Sequence, residues 1–335
     1  MNGGAASVAV YLIGSIVAIV MALQGYKYYA LIAQTILAAI LGFLWDQFLT
    51  RSRFRVKVEL SSIRKVFSYS GYQFAFNLVN YLSRNLDNLL TGKFIGKVEL
   101  GYYNKAYSLM LYPVTNLAGV VTPVLHPVLS DYQDNKNVIY HKYVLVVRLF
   151  ACIGLLIAPI CYLGANEIIL IVFGNQWSTS GMCFRFLALA ILPQMINSGA
   201  GAIFQSLGNT RLLFFNCCIN TAITVIAICI GIFIGKDIVF LSICVAIAYI
   251  CHFLTAFYML IKFGFGYRCR DTVMGFKNEL FMLAIMLICL ITFPLNFNNT
   301  MMSLIIKVVW TTCFYCAGLI VTKNYTLLAS LFTKK

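Results

Sequence analysis

Apolar residues fill ten long segments of this chain, and polar residues collect in the short stretches between them. Most segments have about the 20 residues that an α-helix needs to cross the hydrocarbon core of a bilayer. Aromatic residues such as Tyr26, Trp45, Tyr102 and Trp177 flank them, as in interfacial belts. The pattern predicts an all-α membrane protein, a polytopic bundle of about ten transmembrane helices. The predicted spans are Ala6–Gln24, Tyr28–Trp45, Phe67–Leu90, Tyr103–Leu129, Tyr143–Leu163, Met182–Ser206, Leu212–Ile234, Ile238–Ile261, Glu279–Phe297 and Met302–Thr322.

Composition agrees with a membrane protein. Hydrophobic residues make up 61% of the chain and charged residues 10%, with a mean hydropathy of +0.87. Soluble domains carry about 25% charged residues, so a soluble fold could not bury this much apolar surface.

Basic residues predict the orientation of the spans. If Met1 is cytoplasmic, the outer loops hold little beyond Lys27, Lys93, Lys97 and Lys236. The inner loops then hold most of the positive charge, as the positive-inside rule requires, and both termini are cytoplasmic. These loops account for most of the formal net charge of +15. They are expected to contact anionic lipid, so no nucleic-acid partner is predicted. The inner basic residues are Arg51, Arg53, Arg55, Lys57, Arg64, Lys65, Lys136, Lys142, Arg211, Arg268, Arg270, Lys277, Lys323, Lys334 and Lys335.

This orientation makes a direct prediction for the C-terminus. A reporter fused after Lys335 should be active only in the cytoplasm, because the basic loops would keep that end inside. Paired phosphatase and fluorescent-protein fusions measure this. Phosphatase activity in the periplasm would overturn the whole topology.

The sequence contains no recognisable set of catalytic residues. Nearly all cysteines lie in or at the ends of predicted spans, and His126, His141 and His252 are scattered. No nucleophile–His–acid set, phosphate-binding loop or zinc signature is present, so no enzyme, metal or cofactor is predicted.

Polar residues inside the third predicted span are the most informative feature. Gln73, Asn77, Asn80, Arg84 and Asp87 recur every three to four residues and therefore share one helix face. A charge at mid-bilayer costs roughly 2.5–3.5 kcal/mol, so Arg84 needs a partner, water or a ligand. Two interpretations stay open. Arg84 and Asp87 form an internal pair that joins helices, or this face lines a cavity where Arg84 binds phosphate oxygens.

Two further polar faces favour the cavity. The sixth predicted span carries Gln194, Asn197, Ser198, Gly201 and Gln205 at helical spacing. The seventh carries Asn216, Asn220 and Thr224, and three such faces predict a shared water-filled space. Prolines are expected to interrupt and bend helices around it. These prolines are Pro113, Pro123 and Pro127 in the fourth span, Pro159 in the fifth and Pro193 in the sixth.

Four stretches resemble a known family of transporters. They are SRNLDNLLTGKFIGKVELGYYNKAYSLMLYPVTNL at 83–117, VLHPVLSDYQDN at 124–135, IILIVFGNQW at 168–177 and AIFQSLGNTRLLF at 202–214. In this order they resemble the Wzx-type oligosaccharide flippases, which belong to a superfamily with the lipid II flippase and the multidrug and toxin extruders. The resemblance weakens beyond Gly235.

The resemblance implies two six-helix lobes around a cationic cavity and, in some members, two additional C-terminal helices. The implied domains are 1–66, the end of an N-terminal lobe with a basic connector, 67–263, the C-terminal lobe, and 264–335, a basic loop with two more helices. The implied activity is flipping of a polyprenyl-diphosphate-linked glycan across the bacterial inner membrane for surface polysaccharide synthesis. Membrane lipids and other polysaccharide-assembly proteins are the further implied partners.

The predicted substrate-binding residues combine the polar faces with this resemblance. The family motif adds Lys93 and Lys105 and agrees with the polar face in selecting Arg84 and Asp87. The full set is Gln73, Asn77, Asn80, Arg84, Asp87, Lys93, Lys105, Gln194 and Asn197.

The number of spans before the motif departs from the family pattern. Its block normally begins the seventh helix, but only two predicted spans precede it here. We therefore expect the first four helices of the N-terminal lobe to be missing, and the chain alone to insert without flipping substrate. A non-functional flippase fragment and a membrane enzyme of polysaccharide assembly remain the alternatives.

Overall fold

The computed structural model of the chain describes residues 2–26, 29–50, 85–130, 135–292 and 299–325, and all regular structure in these ranges is helical. The chain divides into two compact units, Met1–Tyr72 and Gln73–Lys335. Helices α1 (Asn2–Leu23) and α2 (Tyr29–Thr50) belong to the first. The second begins, within the described ranges, with α3 over 85–94. Its other helices are α4 (Lys97–Ser130), α5 (Lys136–Leu163), α6 (Ala165–Phe173), α7 (Ser178–Ala188), α8 (Ile191–Asn197), α9 (Ala200–Ser206), α10 (Thr210–Cys229), α11 (Ile238–Met259), α12 (Cys269–Gly275), α13 (Lys277–Thr292) and α14 (Thr300–Thr322).

Several helices are long and apolar enough to cross a membrane. Four stretches of the described chain qualify, namely Lys136–Leu163, Arg211–Gly235, Ile238–Phe265 and Thr300–Thr322. The number rises to six if each of two bent helix pairs counts as one span, and α1 and α2 contribute shorter apolar stretches. The structure confirms the all-α membrane class, while the count of ten spans stays a prediction. The predicted domain boundaries stay predictions as well.

The first unit is a helical hairpin of α1 and α2. The side-chain amide of Gln34 donates a hydrogen bond to Ser15 Oγ at 2.9 Å and so joins the two helices. Such contacts between polar side chains link helices in lipid, where the hydrophobic effect supplies no force between them.

The core of the second unit lies among α4, α5, α7, α8, α9 and α11. Its largest side chains without solvent contact include Tyr103, Met110, Ile139, Phe184, Leu187, Ile191, Met195 and Ile203. Tight packing of this kind stabilises helix association in a bilayer through van der Waals contact.

The sixth predicted span, Met182–Ser206, is helical but broken, and its predicted interruption at Pro193 is confirmed. The structure breaks it into α7, α8 and α9, and the segment Asn175–Ala188 is bent by 52° from Ile191–Ser206. Pro193 explains the first break, because it has no N–H to bond the carbonyl of Leu189. The amides of Leu189 and Ala190 instead close tighter turns onto Phe186 and Leu187.

The predicted interruptions at the other prolines are wrong at the level of helix continuity. Helix α4 runs through Pro113, Pro123 and Pro127, and α5 runs through Pro159. A proline removes one backbone hydrogen bond, and neighbouring groups can make up that loss within a packed membrane helix.

Two ion pairs attach the C-terminal helices to the rest of the second unit. Glu167 of α6 pairs with Lys307 of α14 and also accepts a hydrogen bond from Ser303 Oγ at 2.7 Å. Glu279 of α13 lies 3.5 Å from Nε of Arg148 on α5. Between these pairs, the hydroxyl of Tyr315 on α14 donates to the carbonyl of Cys152 on α5 at 3.1 Å. Helices α13 and α14 are therefore fastened to α5 and α6 by polar contacts at several points.

Candidate functional site

Only part of the predicted site lies in the described ranges. Gln73, Asn77, Asn80 and Arg84 fall outside them, so the predicted polar face of the third span is represented by its last member, Asp87. Lys93, Lys105, Gln194 and Asn197 are also described. Because Arg84 lies outside the described ranges, the Arg84–Asp87 pair stays a prediction.

Asp87 lies buried within the second unit, with 5% of its surface exposed. A tight turn after α3 reverses the chain, and Gly96 supplies the positive φ of 153° that this turn uses. The reversal brings α4 alongside α3, where the Tyr103 hydroxyl donates to Asp87 Oδ2 at 3.0 Å. The backbone N–H of Asn88 donates to Oδ1 at 2.8 Å. Both carboxylate oxygens are thus hydrogen-bonded inside an apolar lobe, as a buried carboxylate requires.

Aromatic side chains continue from Asp87 toward α11. The ring of Tyr103 stacks on Tyr107 at 5.7 Å between centroids, and the Tyr107 hydroxyl hydrogen-bonds to that of Tyr249. Tyr249 meets His252 edge to face at 5.4 Å. We call this series, Asp87, Tyr103, Tyr107, Tyr249 and His252, the polar line. It crosses from α3 through α4 to α11 and carries a carboxylate, three phenols and an imidazole.

Only a weak signal in the sequence pointed to the tyrosines and the histidine of this line. Tyr103 and Tyr107 are four residues apart and so share a face of α4. Within the motif LGYYNKAY, however, nothing marks them as partners of a buried carboxylate. Tyr249 and His252 lie more than 140 residues further along the chain, and only folding brings them to Tyr107.

The predicted third polar face has a different role in the structure. Asn216, Asn220 and Thr224 lie on α10 and bond to α11 instead of lining a shared water-filled space. Thr255 Oγ donates to the side-chain oxygen of Asn220 at 2.8 Å, and Nε2 of His252 lies 3.0 Å from Thr224 Oγ. The expectation that this face lines a water-filled space is therefore wrong. Polar side chains of a neighbouring helix can satisfy a polar face in lipid as well as water can.

Two lysines of the predicted site lie over aromatic rings. The ammonium group of Lys105 is 5.0 Å from the ring centre of Phe173 and 5.4 Å from that of Trp177. Lys93 lies 5.4 Å from the ring of Phe94. Cation–π contacts hold an ammonium group in place without neutralising it. Both lysines therefore keep a positive charge that an anionic group can use.

Gln194 and Asn197 lie on α8, the short middle piece of the broken span. The Gln194 amide approaches Sδ of Met110 on α4 at 3.5 Å, and Asn197 is partly buried. Discontinuous helices in transporters often border the substrate site, because they leave backbone groups free for a ligand. The structure thus places these two residues at a helix break beside α4, the helix that carries Tyr103 and Lys105.

Chemically, the described residues of this region offer hydroxyl and amide groups, a buried carboxylate and two ammonium groups. No group of three or more His, Cys, Asp or Glu side chains in these ranges could hold a metal ion. Buried polar groups within a spanning bundle are costly to keep, and in membrane proteins they commonly mark a pathway for a polar solute.

Comparison with known proteins places the chain in a family. The sequence profile of the polysaccharide biosynthesis protein family matches residues 4–181, more than half of the chain. The teichuronic acid biosynthesis protein TuaB of Bacillus subtilis (strain 168) is 26% identical over 218 residues, covering 64% of this chain and 42% of TuaB. The lipopolysaccharide biosynthesis protein WzxC of Escherichia coli (strain K12) is 25% identical over 178 residues, covering 51% and 35%. The chain thus spans less than half the length of these curated relatives.

The fold has a match among solved structures. Lipid II flippase MurJ, in its inward closed conformation, aligns with a TM-score of 0.70 and 16% sequence identity, covering 97% of this chain and 67% of MurJ. At this identity the likeness shows a shared fold. Together with the family profile and the apolar helices, it confirms the resemblance seen in the motifs around Asp87 and Trp177. The chain is therefore a multi-pass membrane protein that belongs to the polysaccharide biosynthesis protein family.

Proposed function

We propose that this chain acts as a component of a transporter, and not as an enzyme, in flipping a polyprenyl-diphosphate-linked oligosaccharide across the bacterial inner membrane. The observation that carries the proposal is the polar line, which sets the carboxylate of Asp87 inside a packed apolar lobe of a membrane protein. The proposal is also supported by the names of two relatives, which refer to teichuronic acid and lipopolysaccharide biosynthesis.

The physics of the substrate explains why such a lobe is needed. A polyprenyl tail stays in the bilayer unaided, but a diphosphate and several sugars cannot cross roughly 30 Å of hydrocarbon without polar contacts. A protein that alternates its access to the two leaflets can offer those contacts along the way. The broken span at Pro193 and the hydroxyls of the polar line supply hydrogen-bonding groups of this kind.

The negatively charged diphosphate of the proposed substrate needs cationic side chains to bind it. Lys105 is suited to this role, because its ammonium group is held by Phe173 and Trp177 and forms no ion pair with a carboxylate of the described chain. Arg84 is three residues before Asp87 in sequence and adds a guanidinium whose paired N–H groups match phosphate oxygens. We propose that these two cations act on the diphosphate and that Asp87 positions the neighbouring groups.

The test is the substitution Arg84→Lys, introduced at the chromosomal locus of the gene. Lysine keeps the charge but loses the bidentate geometry. We therefore expect surface glycan to fall to about a tenth or less of the wild-type amount, as one lost charge-assisted hydrogen bond of roughly 1.5–3 kcal/mol would cause. Immunoblotting of membranes should show normal accumulation of the protein, and lipid-linked glycan should build up in the cells.

The matched control is Arg211→Lys, the same exchange at an exposed arginine at the start of α10. It should leave surface glycan unchanged. If Arg84→Ala also exports glycan at the wild-type level, Arg84 has no role in phosphate binding and this part of the proposal fails.

A further inference from the structure

One end of the second unit carries a dense set of exposed cations. They come from the first turns of α5 and from the segment that leads from the end of α11 through α12 to α13. We call this set the basic platform, and its members are Lys136, Lys142, Lys262, Arg268, Arg270 and Lys277, all exposed.

The two segments of the basic platform are fixed to each other. The rings of Tyr140 on α5 and Tyr267 lie 4.4 Å apart, and the Tyr140 hydroxyl is 3.1 Å from Thr272 Oγ on α12. The Tyr267 hydroxyl donates to the side chain of Asn137 at 3.1 Å. These contacts hold the arginines on either side of Cys269 against the start of α5, so the charges belong to one ordered surface.

The charge of this surface is largely uncompensated. Within described residues 135–148 and 258–280, the carboxylates are Asp271 and Glu279. Glu279 is buried and paired with Arg148, which leaves Asp271 as the exposed acid facing six exposed cations. None of those six forms an ion pair within the described chain. Asp131 and Asp134 precede α5 in sequence and lie outside the described ranges.

Exposed apolar side chains accompany these cations. Phe263, Val273 and Met274 are 55%, 42% and 58% exposed. The side chain of Lys262 lies along its own helix. Its ammonium group donates a hydrogen bond to the Tyr258 hydroxyl at 2.7 Å and lies over the rings of Tyr258 and Phe263. This is how a lysine near the end of a span reaches the interface while its alkyl stem stays in apolar surroundings. An acidic soluble partner would not require such apolar neighbours.

The position of the basic platform at the ends of two long spans indicates what it contacts. The spans Lys136–Leu163 and Ile238–Phe265 each have 28 residues. At about 1.5 Å per residue they are longer than the roughly 30 Å hydrocarbon core, so their ends reach the headgroup layer. The cations then lie at the height of lipid phosphates, and the exposed apolar side chains at the boundary with the acyl chains.

We propose that the basic platform is a binding surface for the phosphate groups of anionic phospholipids. The inference does not depend on which molecule the protein transports. Phosphatidylglycerol should therefore be retained in preference to zwitterionic phosphatidylcholine, and added salt should weaken the preference because these charges are exposed.

Native mass spectrometry of the purified full chain can test this surface. The protein is released from mixed micelles with equal amounts of phosphatidylglycerol and phosphatidylcholine of matched chain length, and the retained lipids are counted. We expect wild type to retain phosphatidylglycerol at least about fivefold over phosphatidylcholine. Arg268→Gln/Arg270→Gln should bring this ratio close to one. Both replaced side chains are exposed, so the variant should keep its helix content and melting temperature.

The matched control removes two exposed cations elsewhere in the same unit, Lys97→Gln/Lys236→Gln. It should keep most of the preference. Equal loss in both double variants, or no preference in wild type, would overturn the proposal. Displacement of phosphatidylglycerol by soluble glycerol phosphate alone would also overturn it, because a discrete anion pocket would then be present instead of a bilayer-facing surface.

Discussion

Lys307→Met is expected to destabilise the protein by about 3–5 kcal/mol, because it leaves the carboxylate of Glu167 in apolar surroundings without its ammonium partner. The Lys307 and Glu167 side chains are only 11% and 12% exposed, so water cannot replace the lost contact. Ser303 would remain as a hydrogen-bond donor to Glu167 and would recover part of the loss. Thermal unfolding in a mild detergent, followed by circular dichroism, measures the effect.

A double-mutant cycle separates the ion pair from the packing around it. Glu167→Gln/Lys307→Met removes both charges, so we expect it to be clearly more stable than Lys307→Met alone. Lys97→Met, at an exposed position of α4, controls for the loss of a lysine and should change stability by less than about 0.5 kcal/mol. If the double variant is no more stable than Lys307→Met, the pair does not fasten α14 to α6.

Asp87→Leu should reduce both stability and transport. The Tyr103 hydroxyl has no exposure to solvent, and removal of the Asp87 carboxylate leaves it without its acceptor at a cost of about 1–3 kcal/mol. Tyr103→Phe should cost a similar amount, because one carboxylate oxygen loses its donor. In Asp87→Leu/Tyr103→Phe both partners become apolar, so most of the stability should return.

Transport in the same variants distinguishes structure from function. If Asp87 takes part in transport as proposed, surface glycan should stay below about a tenth of the wild-type amount in the double variant, although its melting temperature recovers. Thr91→Val is the control one turn further along α3. Its hydroxyl is buried and makes no hydrogen bond in the described structure, so this exchange should not lower stability and should leave glycan export unchanged. Parallel recovery of stability and glycan export would limit Asp87 to helix packing.

The class of the protein and its most informative acid could both be predicted from the sequence alone. Long apolar segments require helices in a bilayer, because backbone groups there have no water to bond. The same reasoning marked Asp87, since a carboxylate within a span is too costly to be incidental. The family was also readable from the sequence, because the motifs between Ser83 and Trp177 are local in the chain.

The partners of the polar residues, in contrast, became known from the folded structure. Asp87 meets Tyr103 because a glycine turn folds α3 onto α4, and Tyr107 meets Tyr249 across 142 positions of sequence. The face of Asn216 and Asn220 was predicted correctly as polar, but α11 provides its partners. Helical periodicity shows which residues share a face and does not show what that face contacts. The contact depends on how the helices pack, and packing is decided by side chains that are distant along the chain.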